Sequence, residues 1–175
     1  MPKRLKKISS EVIHENPRWI YKHDVFMLPS GKSADYYYGE KTGVVIVIPV
    51  EDDGKLVLVR RLRHLQDKIS LEFPMGGLQK DESVLDAAKR ELLRCTGYQC
   101  EELINVGIFE PLSGLFKNTV HVFVASGLKQ VQEVSSDEGI EIVPRRPDEL
   151  EDIFKRGEVW DGGTLAAWSL ARYNL

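Results

Sequence analysis

The sequence predicts an α+β sandwich: a mixed sheet with helices on either side, preceded by an antiparallel β segment. Three observations lead there. Between Glu11 and Phe73, short apolar or alternating runs are separated by Pro, Gly, Asn and Asp breaks, the pattern of strands and hairpins. From Ser83 to Gly97 the text changes to a helical period, with a start signal and a stop signal in place. Two more strand-like runs and two helical stretches then close the chain, without internal repeats.

Residues 12–15, 19–28 and 35–40 read as antiparallel strands, broken at Asn16-Pro17 and at the turn Pro29-Ser30-Gly31-Lys32. The unbroken apolar run 44–50 should be a buried strand, and Asp52-Asp53-Gly54 turns the chain into 55–61. A short strand, 69–73, delivers it to the tight turn Pro74-Met75-Gly76-Gly77. Ser83 and Asp86 make a capping pair, so a helix begins at Ser83 or Val84, and Gly97 stands where a left-handed residue would close it. At ~100° per residue, Val84, Ala88, Glu91 and Cys95 share one face of that helix, with Arg94 on its flank. Strands follow at 104–111 and 120–125. A second helix spans 147–156, with Pro147 in its first turn and Gly157 past its end, and a third spans 164–173.

A length of 175 residues suits one domain with a real core, and 42% hydrophobic with 29% charged residues is ordinary for a soluble globular chain. No apolar run approaches the ~20 residues that span a bilayer. The N-terminus carries Lys3, Arg4, Lys6 and Lys7 without an apolar segment behind them, which is not a signal peptide; a cytoplasmic protein is expected. A net charge of −3 gives nucleic acid no support as a partner. The expected organisation is a solvated basic tail at 1–10, an N-terminal β segment at 11–42 and the main domain at 43–175. Cys95 and Cys100 lack Cys or His partners at zinc spacing and read as a reduced pair. His14, His23, His64 and His121 show no metal spacing either and read as structural.

The spacing Gly76, five residues, Glu82, seven residues, Arg90-Glu91-Leu92 and then Gly97-Tyr98 resembles the Nudix box. The likeness extends to Asn16-Pro17-Arg18-Trp19, 56–63, Glu72-Phe73-Pro74, 119–123 and Glu158-Val159-Trp160-Asp161, which are similar to stretches of the ADP-ribose pyrophosphatase-like subfamily. It implies a Nudix-type α/β/α sandwich in which box glutamates hold a divalent metal, Mg2+ or Mn2+, against a diphosphate. It also implies a homodimer in which the first strands, 11–42, pack against the partner and help complete the active site. One departure stands out. The family carries two adjacent glutamates just after the Arg90-Glu91 pair, and this chain has Arg94 and Cys95 there.

What the resemblance implies for single residues follows position by position. Glu91 is the box carboxylate left to touch metal, and the backbone carbonyl of Met75 would complete the metal shell. Glu82 supports the loop. Arg63 matches an arginine that contacts phosphate, a role that suits the planar fork of guanidinium; Arg61 is a lesser candidate. Glu72 resembles a glutamate near the substrate, with a strand-end charge as the alternative. Glu138, then Glu141, fall in an acidic loop that supplies the general base or a further metal ligand. Ser113 and Asn118 stand where proline and glutamate are usual. Trp19, Tyr36, Tyr37 and Tyr38 are candidates for stacking on a nucleoside, or for the core or dimer contact; strand alternation puts Tyr36 and Tyr38 on one face and Tyr37 on the other.

Arg94 has two readings, an ordinary helical ion pair with Glu91 or a cation that grips phosphate in place of metal. Cys95 reads as a small buried hydrophobe. The expected function is a Nudix-fold protein that binds a nucleoside diphosphate sugar such as ADP-ribose, with weak or no metal-dependent hydrolysis and possibly no metal at all. The alternative is an active hydrolase that uses Mg2+ through the remaining carboxylates.

Overall fold

The computed structural model describes residues 4–135, 139–173 and 175. They form two compact units, Met1–Thr42 with Glu110–Thr119, and Gly43–Phe109 with Val120–Leu175. Residues 110–119, which the sequence reading places in the main domain, therefore group with the N-terminal segment.

The first unit is one sheet in the order β1-β2-β3-β9, made of β1 (Lys6–Glu15), β2 (Ile20–Met27), β3 (Ser33–Glu40) and the two-residue β9 (Phe116–Lys117). Asn16 turns the first hairpin by accepting the N–H groups of Arg18 (2.8 Å) and Trp19 (3.1 Å). The basic stretch is not all tail, because β1 starts at Lys6 and pairs with Met27. Its anchor is buried: Asp24 takes an ion pair from Lys7 and hydrogen bonds from Ser10 (2.6 Å) and Tyr38 (3.2 Å). Burial alone would raise the Asp24 pKa, but these donors more than offset it and leave the carboxyl below its ordinary range. β9 pairs with β3 because Gly39 has no side chain; a Cβ there would run into the Phe116 ring.

The second unit contains β4 (Val44–Pro49), β5 (Leu56–Arg63), β6 (Lys68–Glu72), β7 (Met75–Gly77), α1 (Val84–Thr96), β8 (Tyr98–Phe109), β10 (Val120–Gln130), β11 (Ile140–Arg145), α2 (Pro147–Lys155) and α3 (Gly162–Ala171). Its strands form a mixed sheet, β7-β4-β10-β8, and an antiparallel sheet, β11-β5-β6. β4 and β10 run parallel and are the spine of the mixed sheet.

Alternation along β4 divides the core in two. Val45 and Val47 pack with Ala87, Ala88 and Leu92 of α1, and with Phe123 and Ala125 of β10. Ile46 and Ile48 face the other way, toward Leu56, Leu58, Phe73, Leu150 of α2, and Ala167 and Trp168 of α3. Each such fully buried aliphatic side chain contributes about 1.5–3 kcal/mol relative to exposure. Helices on both sides of one strand are what the unbroken apolar run of β4 requires. The α/β/α sandwich is therefore as expected.

Local chemistry sets the helix ends. Ser83 accepts the Asp86 N–H (3.1 Å) at the start of α1. At its end Gly97 takes φ 72° and donates to Leu93 O (2.8 Å), and a Cβ there would strike the Gln132 backbone oxygen. α3 begins two residues earlier than expected, because Asp161 caps it by accepting from Thr164 N (2.7 Å) and Oγ1 (2.8 Å). Among the described residues no helix is long and apolar enough to cross a membrane.

Candidate functional site

The clearest concentration of charge in the second unit lies along one face of α1. Glu91 is 3% exposed although it is ionisable, so its carboxylate must be paired. It lies over Gly76, where a Cβ would run into it. Arg90 Nη1 donates to Glu91 Oε1. Arg94 donates to the other oxygen through Nε (2.9 Å) and Nη2 (2.6 Å). Arg90 also reaches Glu82 through Nε (2.7 Å) and Nη2 (2.8 Å), and the Gly77 carbonyl at 2.9 Å. Glu82 in turn accepts the Gln79 N–H at 2.9 Å. The loop before α1 is thus tied to the helix through Arg90, by one ion pair to Glu82 and one charge-assisted bond to the Gly77 carbonyl.

Arg94 Nη2 also lies 3.5 Å from the Met75 carbonyl and 3.1 Å from Cys95 Sγ. From β5, Arg61 Nη2 approaches the same sulfur at 3.5 Å. Burial pushes the Cys95 thiol pKa up, while Arg94 and Arg61 pull it down less strongly. Cys95 is therefore a neutral thiol at pH 7, between two guanidinium groups.

The third arginine is engaged elsewhere. Arg63 meets Glu72 through two parallel bonds, Nε to Oε1 at 2.7 Å and Nη2 to Oε2. Glu72 is fully buried, and its carboxylate drives the Arg63 pKa above its ordinary value. In the β5–β6 register Val59 faces Glu72, Arg61 faces Ser70 and Arg63 faces Lys68, so Arg61, Arg63, Ser70 and Glu72 share one face. The C-terminal segment braces that strand: Trp160 Nε1 donates to Ile69 O (3.2 Å) and Phe73 N to Thr164 Oγ1 (3.3 Å).

Glu91, Arg94, Met75 and Arg61 are thus brought together, with the Arg63–Glu72 pair on the face that Arg61 shares. Glu141 is not brought to this group. It stands opposite Arg60, on the other face of the sheet from Arg61, and accepts two bonds from Arg60 Nη1 (2.9 and 2.7 Å). Strand alternation causes that divergence, since the Ile140 position beside it faces Arg61. Glu138 lies outside the described residues. Among the described residues no three His, Cys, Asp or Glu side chains gather as a metal-holding group.

Two features were missed from sequence. Ser70, fully buried and on the Glu72 face, is a polar residue at an inward position of a short strand, which is the signal that could have found it. Arg90, taken only as part of a motif, is the brace that joins Glu82 to Glu91.

The first unit holds its own cavity of about 490 Å³, lined by Phe26, Tyr36, Tyr38 and Phe116 among others. Tyr36 and Tyr38 share that lining, while Tyr37 points to the other face and stacks on His23 with centroids 4.3 Å apart. Trp19 lies on the Tyr37 side, edge-on to Tyr21 at 6.3 Å.

Chemically, this cluster beside α1 pairs buried carboxylates with fixed cations. It offers several N–H donors to an anion, and its carboxylate oxygens already hold guanidinium hydrogens.

A family model described as NUDIX domain matches residues 40–167. The chain is 32% identical over 151 residues to an ADP-ribose pyrophosphatase of Bacillus subtilis, covering 85% of this chain and 81% of the relative. It is 28% identical over 165 residues to a methanol dehydrogenase activator of Bacillus methanolicus, covering 93% and 89%. Among solved structures, one described as an ADP compounds hydrolase superposes with a TM-score of 0.83 at 20% identity, covering 98% of this chain and 94% of the other, a likeness of fold.

The brace around Glu82 has a pH signature. Hydrogen bonds from Arg90 lower the Glu82 pKa from 4.5 to about 2. A depressed carboxylate stabilises the fold fully above its unfolded pKa and loses that contribution as pH falls through the folded value. Glu82→Gln should cost about 1–3 kcal/mol at pH 7. In chemical denaturation the gap between wild type and Glu82→Gln should close as pH falls from 4.5 toward about 2. A gap that stays constant across that window would contradict the role given to this pair.

Proposed function

The chain belongs to the NUDIX domain family, and from that premise we propose that it binds a nucleoside diphosphate sugar such as ADP-ribose and hydrolyses it weakly or not at all. One observation carries this reading. The two oxygens that the family resemblance offers a metal, on Glu91 and on the Met75 carbonyl, both face the guanidinium of Arg94. A divalent cation there would sit against a fixed positive charge. Cys95 adds a neutral sulfur where Mg2+ or Mn2+ needs a hard oxygen. The described residues therefore do not fit the metal, and the Nudix box of this chain is read as degenerate.

Binding needs less than catalysis does. A diphosphate requires positive charge and N–H donors, and Arg61 and Arg94 carry both, with Arg63 on the Arg61 face. Hydrolysis also requires an activated water and a base to take its proton. A guanidinium neutralises charge but activates no water. The relative named as an ADP-ribose pyrophosphatase supports the choice of ligand class.

The second reading, an active hydrolase, is favoured by the intact frame around Glu91: the Gly76 contact and the Arg90–Glu82 brace are both in place. Turnover assays separate the two. With ADP-ribose and Mg2+ or Mn2+, wild type should turn over at least ~10³-fold more slowly than the Arg94→Glu, Cys95→Glu double variant, the scale of losing several kcal/mol of metal stabilisation. Brisk metal-dependent cleavage by wild type would refute the binding reading in favour of the hydrolase.

The partner is read as a second copy of this chain. Along its whole length β1 is exposed at the edge of its sheet and presents Ile8, Val12 and Ile13 to solvent. An open edge bearing apolar side chains is a ready surface for pairing. Light scattering at micromolar concentration should return the mass of a dimer, and a monomeric mass would remove this part of the reading.

A further inference from the structure

Among the described residues, the charge balance beside α1 leaves one arginine over. Arg63 is matched by Glu72, and Arg90 and Arg94 are matched by Glu82 and Glu91. Among the described residues Arg61 makes no ion pair, and its guanidinium meets the neutral sulfur of Cys95. Thiol sulfur is a weak acceptor, so this contact holds a guanidinium loosely.

Among the described residues, two buried polar atoms on this face, one of them its own, lack partners. Arg61 Nε and Ser70 Oγ, on directly opposed residues of β5 and β6, are both closed off from solvent without a hydrogen bond. Ser70 itself has no exposure. Native structures rarely leave such groups unmet, and each one costs on the order of 1–3 kcal/mol. Two unmet groups on facing residues, one on a half-buried arginine with no counter-ion among the described residues, describe a resting position short of an acceptor.

We infer that Arg61, supported by Ser70, is the arginine that binds the diphosphate of the ligand directly and without metal, while Arg63 is a positioning residue locked by Glu72. The inference rests on the nucleoside diphosphate reading above and assigns the contact within it. On binding, the Arg61 guanidinium leaves the Cys95 thiol and donates its N–H groups to phosphate oxygens. Ser70 Oγ then gains a place beside the moved side chain, as donor to the same anion or to water. Arg63 does not need to move, because releasing it would leave the carboxylate of Glu72 buried and unpaired. This reverses the expectation from sequence, in which Arg63 ranked first and Arg61 second.

Titration calorimetry in EDTA, with inorganic pyrophosphate and with ADP-ribose as probes, tests the assignment. Wild type should bind both. Arg61→Gln should weaken both by roughly 10- to 100-fold, the scale of hydrogen bonds to a charged group. Arg61→Lys should recover only part, because an ammonium lacks the planar fork. Ser70→Ala should lose less affinity and melt no lower than wild type, since the hydroxyl it removes has no partner. Thermal melting controls for folding: Arg61→Gln strips no carboxylate of its partner and should melt close to wild type, whereas Arg63→Gln should melt clearly lower. If Arg61→Gln binds both probes as wild type does in EDTA, the Arg61 assignment is wrong while the binding reading stands. If Arg61→Gln melts as low as Arg63→Gln, the residue is structural and the assignment again fails. If wild type binds neither probe with or without Mg2+, the nucleoside diphosphate reading falls and Arg61 falls with it.

Discussion

A carboxylate at 3% exposure sets the terms for this cluster of charges. Taking Glu91 out of water costs several kcal/mol unless its charge is met on every side. The chain meets it with three features. Gly76 leaves room for the carboxylate to lie on the loop backbone. Arg90 takes one oxygen and Arg94 the other. Because Arg90 also holds Glu82 and the Gly77 carbonyl, the same pairing fixes the loop against α1. Remove Glu91 and the carboxylate that Arg94 meets is gone, while Arg90 keeps Glu82 and the Gly77 carbonyl and still holds the loop to the helix.

That requirement explains why the cluster is built from guanidinium groups. An ammonium supplies a point charge, whereas guanidinium can bridge Glu91, the Met75 carbonyl and Cys95 from one planar group. A permanent cation in this position is always present and needs no recruitment from solution. Unlike a metal ion, it brings no coordinated water. On the neighbouring sheet the Arg63–Glu72 pair repeats the theme, a fully buried carboxylate closed by a two-point guanidinium contact.

Much of the fold was legible in sequence because strong local signals agreed. The Ser83 cap, the Gly97 stop and the apolar run of β4 each had one physical reading, and the structure follows them. The misses have local causes. β9 is two residues long and exists because Gly39 admits Phe116, a contact between positions far apart in sequence. β11 contains Pro144, which argues against a central strand but is tolerated at the edge of its sheet. β1 begins inside a basic run that reads as solvated until Lys7 finds the buried Asp24. In the cluster, motif spacing located Glu91 and Arg94. It ranked Arg63 above Arg61, and nothing in the spacing shows that Glu72 is buried against Arg63 or that Ser70 faces Arg61 on the adjacent strand.

The central claim is that the Arg94 guanidinium fills the place of a cation between Glu91 and the Met75 carbonyl. Electron paramagnetic resonance of Mn2+ added to the nucleotide-free protein tests this without reference to turnover. The account predicts that the six-line signal of free Mn2+ stays undiminished as protein is added at sub-millimolar concentrations. Loss of that signal, saturating at one Mn2+ per chain and reversed by excess Mg2+, would contradict it.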